Sequence, residues 1–207
     1  MHDLADIIVK ACSHLCGQAR CFTVDGVALP LCQRCLGLYL GALVTLAWLI
    51  ATGIWRRGLP GKWVIAVHVA ALLAAGAGGL HAIDAGPRWR LACGLLTGHV
   101  TAFWLAAGIA CLWRGAEPGG TRRGTSPRLA QIQALAMPAI LGVLPSILCP
   151  PASLGWWIWT TAACLGIAAL WGLSATAIVL LAYRIFTRAA NLICARRRPQ
   201  GDWPRGD

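Results

Sequence analysis

The chain has 207 residues, of which 58% are hydrophobic and only 12% charged, and its mean hydropathy is +0.66. A soluble domain carries about 25% charged residues, so the composition excludes an ordinary soluble globule and leaves room for one membrane domain. The net charge of +11 and pI near 9.7 do not signal nucleic acid. The Lys and Arg fall in short breaks between apolar runs, where they anchor helix ends, and no aromatic-basic stripe accompanies them.

The expected fold is an all-α, polytopic helical membrane protein of about five spans behind a short Cys/His-rich head. Residues 1–35 form the head, 36–186 the bundle and 187–207 a basic flexible tail. Residues 1–11 lack the basic start, apolar core and small-residue cleavage site of a signal peptide. Their Leu4, Ile7, Ile8 and Ala11 share one helical face, which suits an interfacial segment that delivers Cys12 to a site.

The head holds six soft or borderline donors: Cys12, His14, Cys16, Cys21, Cys32 and Cys35. Cys32-Gln33-Arg34-Cys35 is a C-x-x-C pair, and two thiolates at that spacing grip one tetrahedral ion. Cys12-x-His14-x-Cys16 offers the second pair of ligands, which completes a four-coordinate zinc site. The Gly26 turn and the Pro30 break let the intervening loop fold back. Three other readings stay open: disulfides or a thiol-disulfide exchange pair at Cys32/Cys35, an iron-bearing site, and inert buried cysteine. Cys93, Cys111, Cys164 and Cys194 read as small apolar helix residues, while Cys149 falls in a connection on the cluster side.

A helix needs about 20 apolar residues to cross the hydrocarbon. The runs 36–54, 63–83, 91–113 and 129–148 qualify. No charged residue occurs between Arg128 and Arg184, and the Cys149-Pro150-Pro151-Ala152-Ser153-Leu154-Gly155 segment divides that stretch, giving a fifth span at 156–183. Pro138 and Pro145 predict kinks in the fourth. Tryptophans near the breaks (Trp55, Trp63 and Trp113 on one side, Trp89, Trp156, Trp157 and Trp159 on the other) form the expected interfacial belt.

With five spans, Lys10, Arg20, Arg34, Arg88 and Arg90 share one side, and the other thirteen of the eighteen Lys and Arg lie opposite. The positive-inside rule then puts the C-terminus in the cytoplasm and the N-terminus outside. Five spans also put His81, Asp84, Arg88, Arg90, Cys93 and Cys149 near the cysteine head, whichever way the chain is inserted. An Asp84–Arg90 ion pair reads either as a plain surface pair or as a lock onto the head.

His68 and His99 lie inside the second and third spans, where polar groups are costly and often functional. Aligning the hairpin through an 84–90 turn sets them about two helical turns apart in depth, which favours separate interhelical hydrogen bonds over a shared site. Gly37/Gly41 and Gly94/Gly98 have small-x-x-x-small spacing, which favours close helix approach within the bundle.

One run of residues resembles a known family. Leu29-Pro30-Leu31-Cys32-Gln33-Arg34-Cys35-Leu36-Gly37-Leu38-Tyr39-Leu40-Gly41 is similar to the P-L-C-x-R-C-T-G-x-Y-x-G signature of the bacterial membrane-protein family catalogued as domain of unknown function 2085. Arg20-Cys21-Phe22 resembles its R-S-F, and Asp84 with Arg90-x-x-x-Gly94-x-x-x-Gly98 resembles its D-G…N-x-x-R-x-x-T-G-x-x-x-G. Departures are the split Cys12-Ser13-His14 where the family has adjacent Cys-His, Leu36 for Thr, Cys21 for Ser, Pro87 for Asn and Cys93 for Thr. The resemblance implies a small multi-span protein of a bacterial inner or plasma membrane with a Cys/His site near its N-terminus, and it implies no particular activity. Arg20, Arg34, His81, Asp84 and Arg90 are the supporting polar residues of that site.

The expected role is therefore a zinc-stabilised module in a lipid bilayer, with no catalytic residue assigned. The enzyme alternative is a membrane thiol-disulfide oxidoreductase using Cys32 and Cys35, with Cys16 or Cys21 as exchange partner. A small-solute or metal transporter built around His68, His81 and His99 is the remaining alternative.

Overall fold

The computed structural model describes residues 7–10, 12, 20–24, 26–53, 62–79, 84–114, 136–137, 140–141 and 155–197. They form strands β1 (Cys21–Val24) and β2 (Val27–Cys32), followed by helices α1 (Gln33–Thr52), α2 (Lys62–Gly79), α3 (Pro87–Arg114) and α4 (Gly155–Arg197). The architecture is helical and of membrane type. Three helices, over Gln33–Thr52, Pro87–Trp113 and Gly155–Asn191, are long and apolar enough to cross a bilayer, while the apolar run of α2 over Lys62–Ala77 is shorter. Residues 7–10 and 12 are helical, as are 136–137 and 140–141 within the expected fourth span. The rest of that span lies outside the described residues.

Three features differ from the sequence expectation. First, residues 21–32 form an antiparallel hairpin where a loop was expected. Gly26 at φ 78 supplies the positive φ that its two-residue connection requires. Val24, Leu29 and Leu31 turn into the core at 2% exposure or less, so a non-local apolar surface stabilises a short hairpin that local pattern does not reveal. Pro30 is tolerated because both strands are edges.

Second, α1 starts at Gln33, three residues before the apolar run. Cys32 takes extended backbone angles and its Sγ accepts the Cys35 N–H at 3.4 Å, which is an N-cap. The helix stops at Gly53, whose left-handed φ of 63 lets its N–H reach the Leu49 carbonyl at 2.9 Å.

Third, α4 runs on to Arg197, so residues 187–197 of the expected tail are helical. No proline or glycine interrupts the chain between Gly172 and Pro199. At 1.5 Å per residue its length is about 64 Å, roughly twice the hydrocarbon thickness.

The core seam is α1 against α3. A Cβ on Gly37 would meet the Leu91 oxygen, and one on Gly41 the Leu95 oxygen. In return, a Cβ on Gly94 would meet the Arg34 oxygen, and one on Gly98 the Leu38 oxygen. The two glycine pairs therefore face each other inside the chain, so their close approach is internal. On its other side α1 meets α4, where a Cβ on Gly166 would meet the Tyr39 oxygen. Trp156 ties the start of α4 to the hairpin by donating from Nε1 to the Ala28 oxygen at 3.0 Å.

Candidate functional site at the cysteine end of the bundle

The hairpin decides which thiols meet. Cys21 lies directly opposite Cys32. Gln33 N donates to the Arg20 oxygen at 3.0 Å, the bond that flanks a non-hydrogen-bonded antiparallel pair. Such pairs hold Cα atoms about 4.5 Å apart, with side chains closer than in the hydrogen-bonded kind. Cys35 follows in the first turn of α1, where its N–H is held by Cys32 Sγ. Cys12 is buried in the apolar cluster that also holds Val24, Leu29, Leu31, Trp156 and Trp159, and Cys35 packs against that same cluster. Among the described residues no three His, Cys, Asp or Glu side chains are gathered as a metal-holding group. His14, Cys16, His81 and Cys149 lie outside the described residues.

Beside the thiols stands a polar clamp. Arg90 donates from Nε to Asp84 Oδ1 at 2.9 Å, and its Nη2 pairs with Asp84 Oδ2. Arg20, immediately before β1, reaches Asp84 Oδ2 from the other side at 3.0 Å. Arg90 Nη1 also donates to Gln33 Oε1 at 3.1 Å, and Gly86 N donates to Asp84 Oδ1 at 3.3 Å. One carboxylate thus joins the head, the turn before α3 and, through Arg90, the first residue of α1. The lock onto the head is the arrangement found, and it is stronger than a lone surface pair because the Arg90 contact is bidentate. Hydrogen bonding from Arg90 holds the Asp84 carboxyl down at about 2. Partial desolvation opposes this, while the Gly86 N–H and the Arg90 and Arg20 charges add to the lowering.

A cavity of about 190 Å3 opens between α1, α2 and α3, lined by Arg34, Cys35, Ala75, Cys93 and Thr97 among others. Cys93, read from sequence as a plain apolar helix residue, thereby shares a cavity with the second cysteine of the C-x-x-C pair. Cys111 lies toward the far end of α3, and Cys164 is exposed on α4.

Deeper in the bundle the structure corrects the expected depths of the histidines. His68 and His99 meet edge to face with ring centroids 5.2 Å apart. Their contact pairs α2 with α3 seven residues away from the register the 84–90 alignment assumed, and that offset removes the two-turn separation. Thr45 was not singled out from sequence, yet its Oγ1 lies 2.9 Å from His99 Nδ1. The signal was present, because Gly37, Gly41 and Thr45 recur every four residues on the face that meets α3. Gln33, hidden inside the C-x-x-C pair, carried no such signal.

Residues 16–104 match the family model described as "Predicted membrane protein (DUF2085)". This is the family that the Leu29–Gly41 run resembles. The matched segment contains the hairpin, α1, α2 and most of α3, and with them the clamp, both glycine pairs, His68 and His99; Cys12 and His14 precede it. No curated protein and no solved structure matches the chain.

Proposed function

We propose that this chain is a membrane module whose N-terminal head is organised by one structural zinc ion. Cys32 and Cys35 supply two ligands, and the other two come from Cys12, His14, Cys16 and Cys21. The observation that carries the reading is the capped start of α1. Cys32 Sγ already accepts a backbone N–H, which favours its thiolate form, and Cys35 follows one turn along with Cys12 in the adjoining cluster. Tetrahedral zinc suits a donor set of thiolates and one imidazole. The positive-inside distribution supports an outward N-terminus and a cytoplasmic C-terminus in a bacterial inner or plasma membrane.

The test is metal analysis of detergent-purified protein. One equivalent of zinc is expected, lost in Cys32→Ser and Cys35→Ser variants. Less than half an equivalent, with the head thiols reactive or oxidised, sinks the zinc reading.

A second reading rests on the Cys21–Cys32 pair, whose non-hydrogen-bonded register suits a reversible disulfide. In thiol-disulfide exchange the two thiols pass two electrons and two protons to a partner disulfide. Alkylation mass spectrometry in graded redox buffers separates the readings. A disulfide involving Cys32 that titrates near cellular potentials supports exchange, whereas alkylation that accelerates only on chelation supports zinc.

A further inference from the structure

The cavity beneath the polar clamp has a shape and a charge that the zinc reading does not use. Its walls include Arg34, Cys35 and Leu38 of α1, Ala75 of α2, and Cys93 and Thr97 of α3. The sequence leaves this space open. α2 packs chiefly on α3, and its Ala74-Ala75-Gly76-Ala77 run brings too little volume to close the gap to α1. Arg34 to Leu38 is about 6 Å along α1, and the backbone contact of Gly37 and Gly94 sets the same level on α3. The apolar span of α1 begins at Gln33. The cavity therefore lies just inside that span, where headgroups give way to hydrocarbon.

The lining is apolar except at one point. Arg34 is the one charged residue among the described lining residues, and α1, α2 and α3 contain no Asp or Glu. Thr97 donates its hydrogen to the Cys93 oxygen at 2.8 Å, so it does not donate into the cavity. A guanidinium has five N–H donors, enough to keep a protein contact and still hold a carboxylate through two parallel bonds. Pockets of this kind, apolar with one oriented polar group, suit an amphiphile. An apolar cavity of about 150 Å3 takes one benzene ring. The space here, about 190 Å3, takes a segment of roughly seven or eight carbons, which is one chain and not two.

We propose that the cavity binds the anion of a single-chain fatty acid, with its carboxylate on Arg34 and the first part of its chain against Leu38, Ala75 and Cys93. A diacyl phospholipid would leave its second chain outside. No thiol chemistry is involved, so the proposal goes beyond the zinc reading and is decided apart from it.

The test uses the full chain in phosphatidylcholine nanodiscs, with radiolabelled dodecanoate in mildly alkaline buffer and empty discs as the reference for partition. One saturable equivalent per chain is expected. Dodecanol, which has the chain without the charge, competes at least about 10-fold less well, and Arg34→Gln weakens dodecanoate binding by a similar factor, as the loss of charge-assisted bonds does. In that variant the preference for dodecanoate over dodecanol disappears. Ala75→Phe fills the cavity and abolishes binding. Bound dodecanoate also slows methanethiolation of Cys93 in the wild type and not in Arg34→Gln, read by peptide mass spectrometry. Should Ala75→Phe fail to fold, the Arg34 and dodecanol arms still decide. Absence of saturable binding above empty discs, equal competition by dodecanol, unchanged affinity in folded Arg34→Gln or Ala75→Phe, or tighter binding of phosphatidylglycerol than of dodecanoate each overturns the proposal.

Discussion

Replacing Gly98 by Ala adds a single methyl group at the tightest point of the α1–α3 seam. The new carbon falls on the Leu38 carbonyl oxygen, 2.8 Å from the Leu38 carbonyl carbon and 2.9 Å from Ala42 N. Ordinary contacts lie at about 3.5–4.0 Å, and the obstacles are backbone atoms that no rotamer change can move. The helices must therefore separate by roughly 1 Å. A gap of that size forfeits about a quarter to a half of each dispersion contact along the seam. Overpacking costs about 1–3 kcal/mol, and a backbone obstacle puts this case near about 3 kcal/mol. At about 2–4 °C per kcal/mol for a chain of this size, the melting temperature in detergent falls by roughly 6–12 °C. Gly108→Ala is the matched control. It is the same substitution on the same helix, yet a Cβ there meets nothing within 4 Å, so the better helix propensity of alanine makes it neutral or stabilising by up to about 1 kcal/mol. Circular dichroism melts of the two variants, side by side, are the assay. If Gly98→Ala melts no lower than Gly108→Ala, the glycine seam as described here is wrong.

Further outcomes follow from the same contacts. Gly41→Ala, which meets the Leu95 oxygen, destabilises on its own but adds less than its full cost to Gly98→Ala, because the first substitution has already opened the seam; a double-mutant cycle in melting temperature reads this. The Asp84 carboxyl titrates at about 2 in the folded chain against 3.8 as its ordinary value. Its contribution is therefore complete above about pH 4 and is lost as pH falls toward 2. Asp84→Asn removes that pH dependence, and melts taken between pH 6 and 2 show a smaller slope in the variant. Trp156→Phe deletes the donor to the Ala28 oxygen, costs about 1 kcal/mol and raises hydrogen exchange in the hairpin, while a variant at exposed Trp157 leaves it unchanged.

Hydropathy and charge spacing determine that this chain is a helical membrane protein, because the free energy of placing a side chain in hydrocarbon depends on that side chain far more than on its neighbours. The same local logic exposed the glycine pairs, the clustering of Asp84 and Arg90 with the head, and the family signature. Tertiary structure decided what hydropathy cannot carry, namely the depth and rotation of one helix against another. Cys93 lines the cavity beside Cys35 because backbone contact at Gly37, Gly41, Gly94 and Gly98 fixes the register of α1 against α3, and His68 faces His99 through the packing of α2 on α3. The hairpin that sets Cys21 opposite Cys32 forms for a related reason. Its buried face is completed by Trp156 and Trp159 of α4, more than a hundred residues along the chain, a distance over which local sequence pattern holds no information.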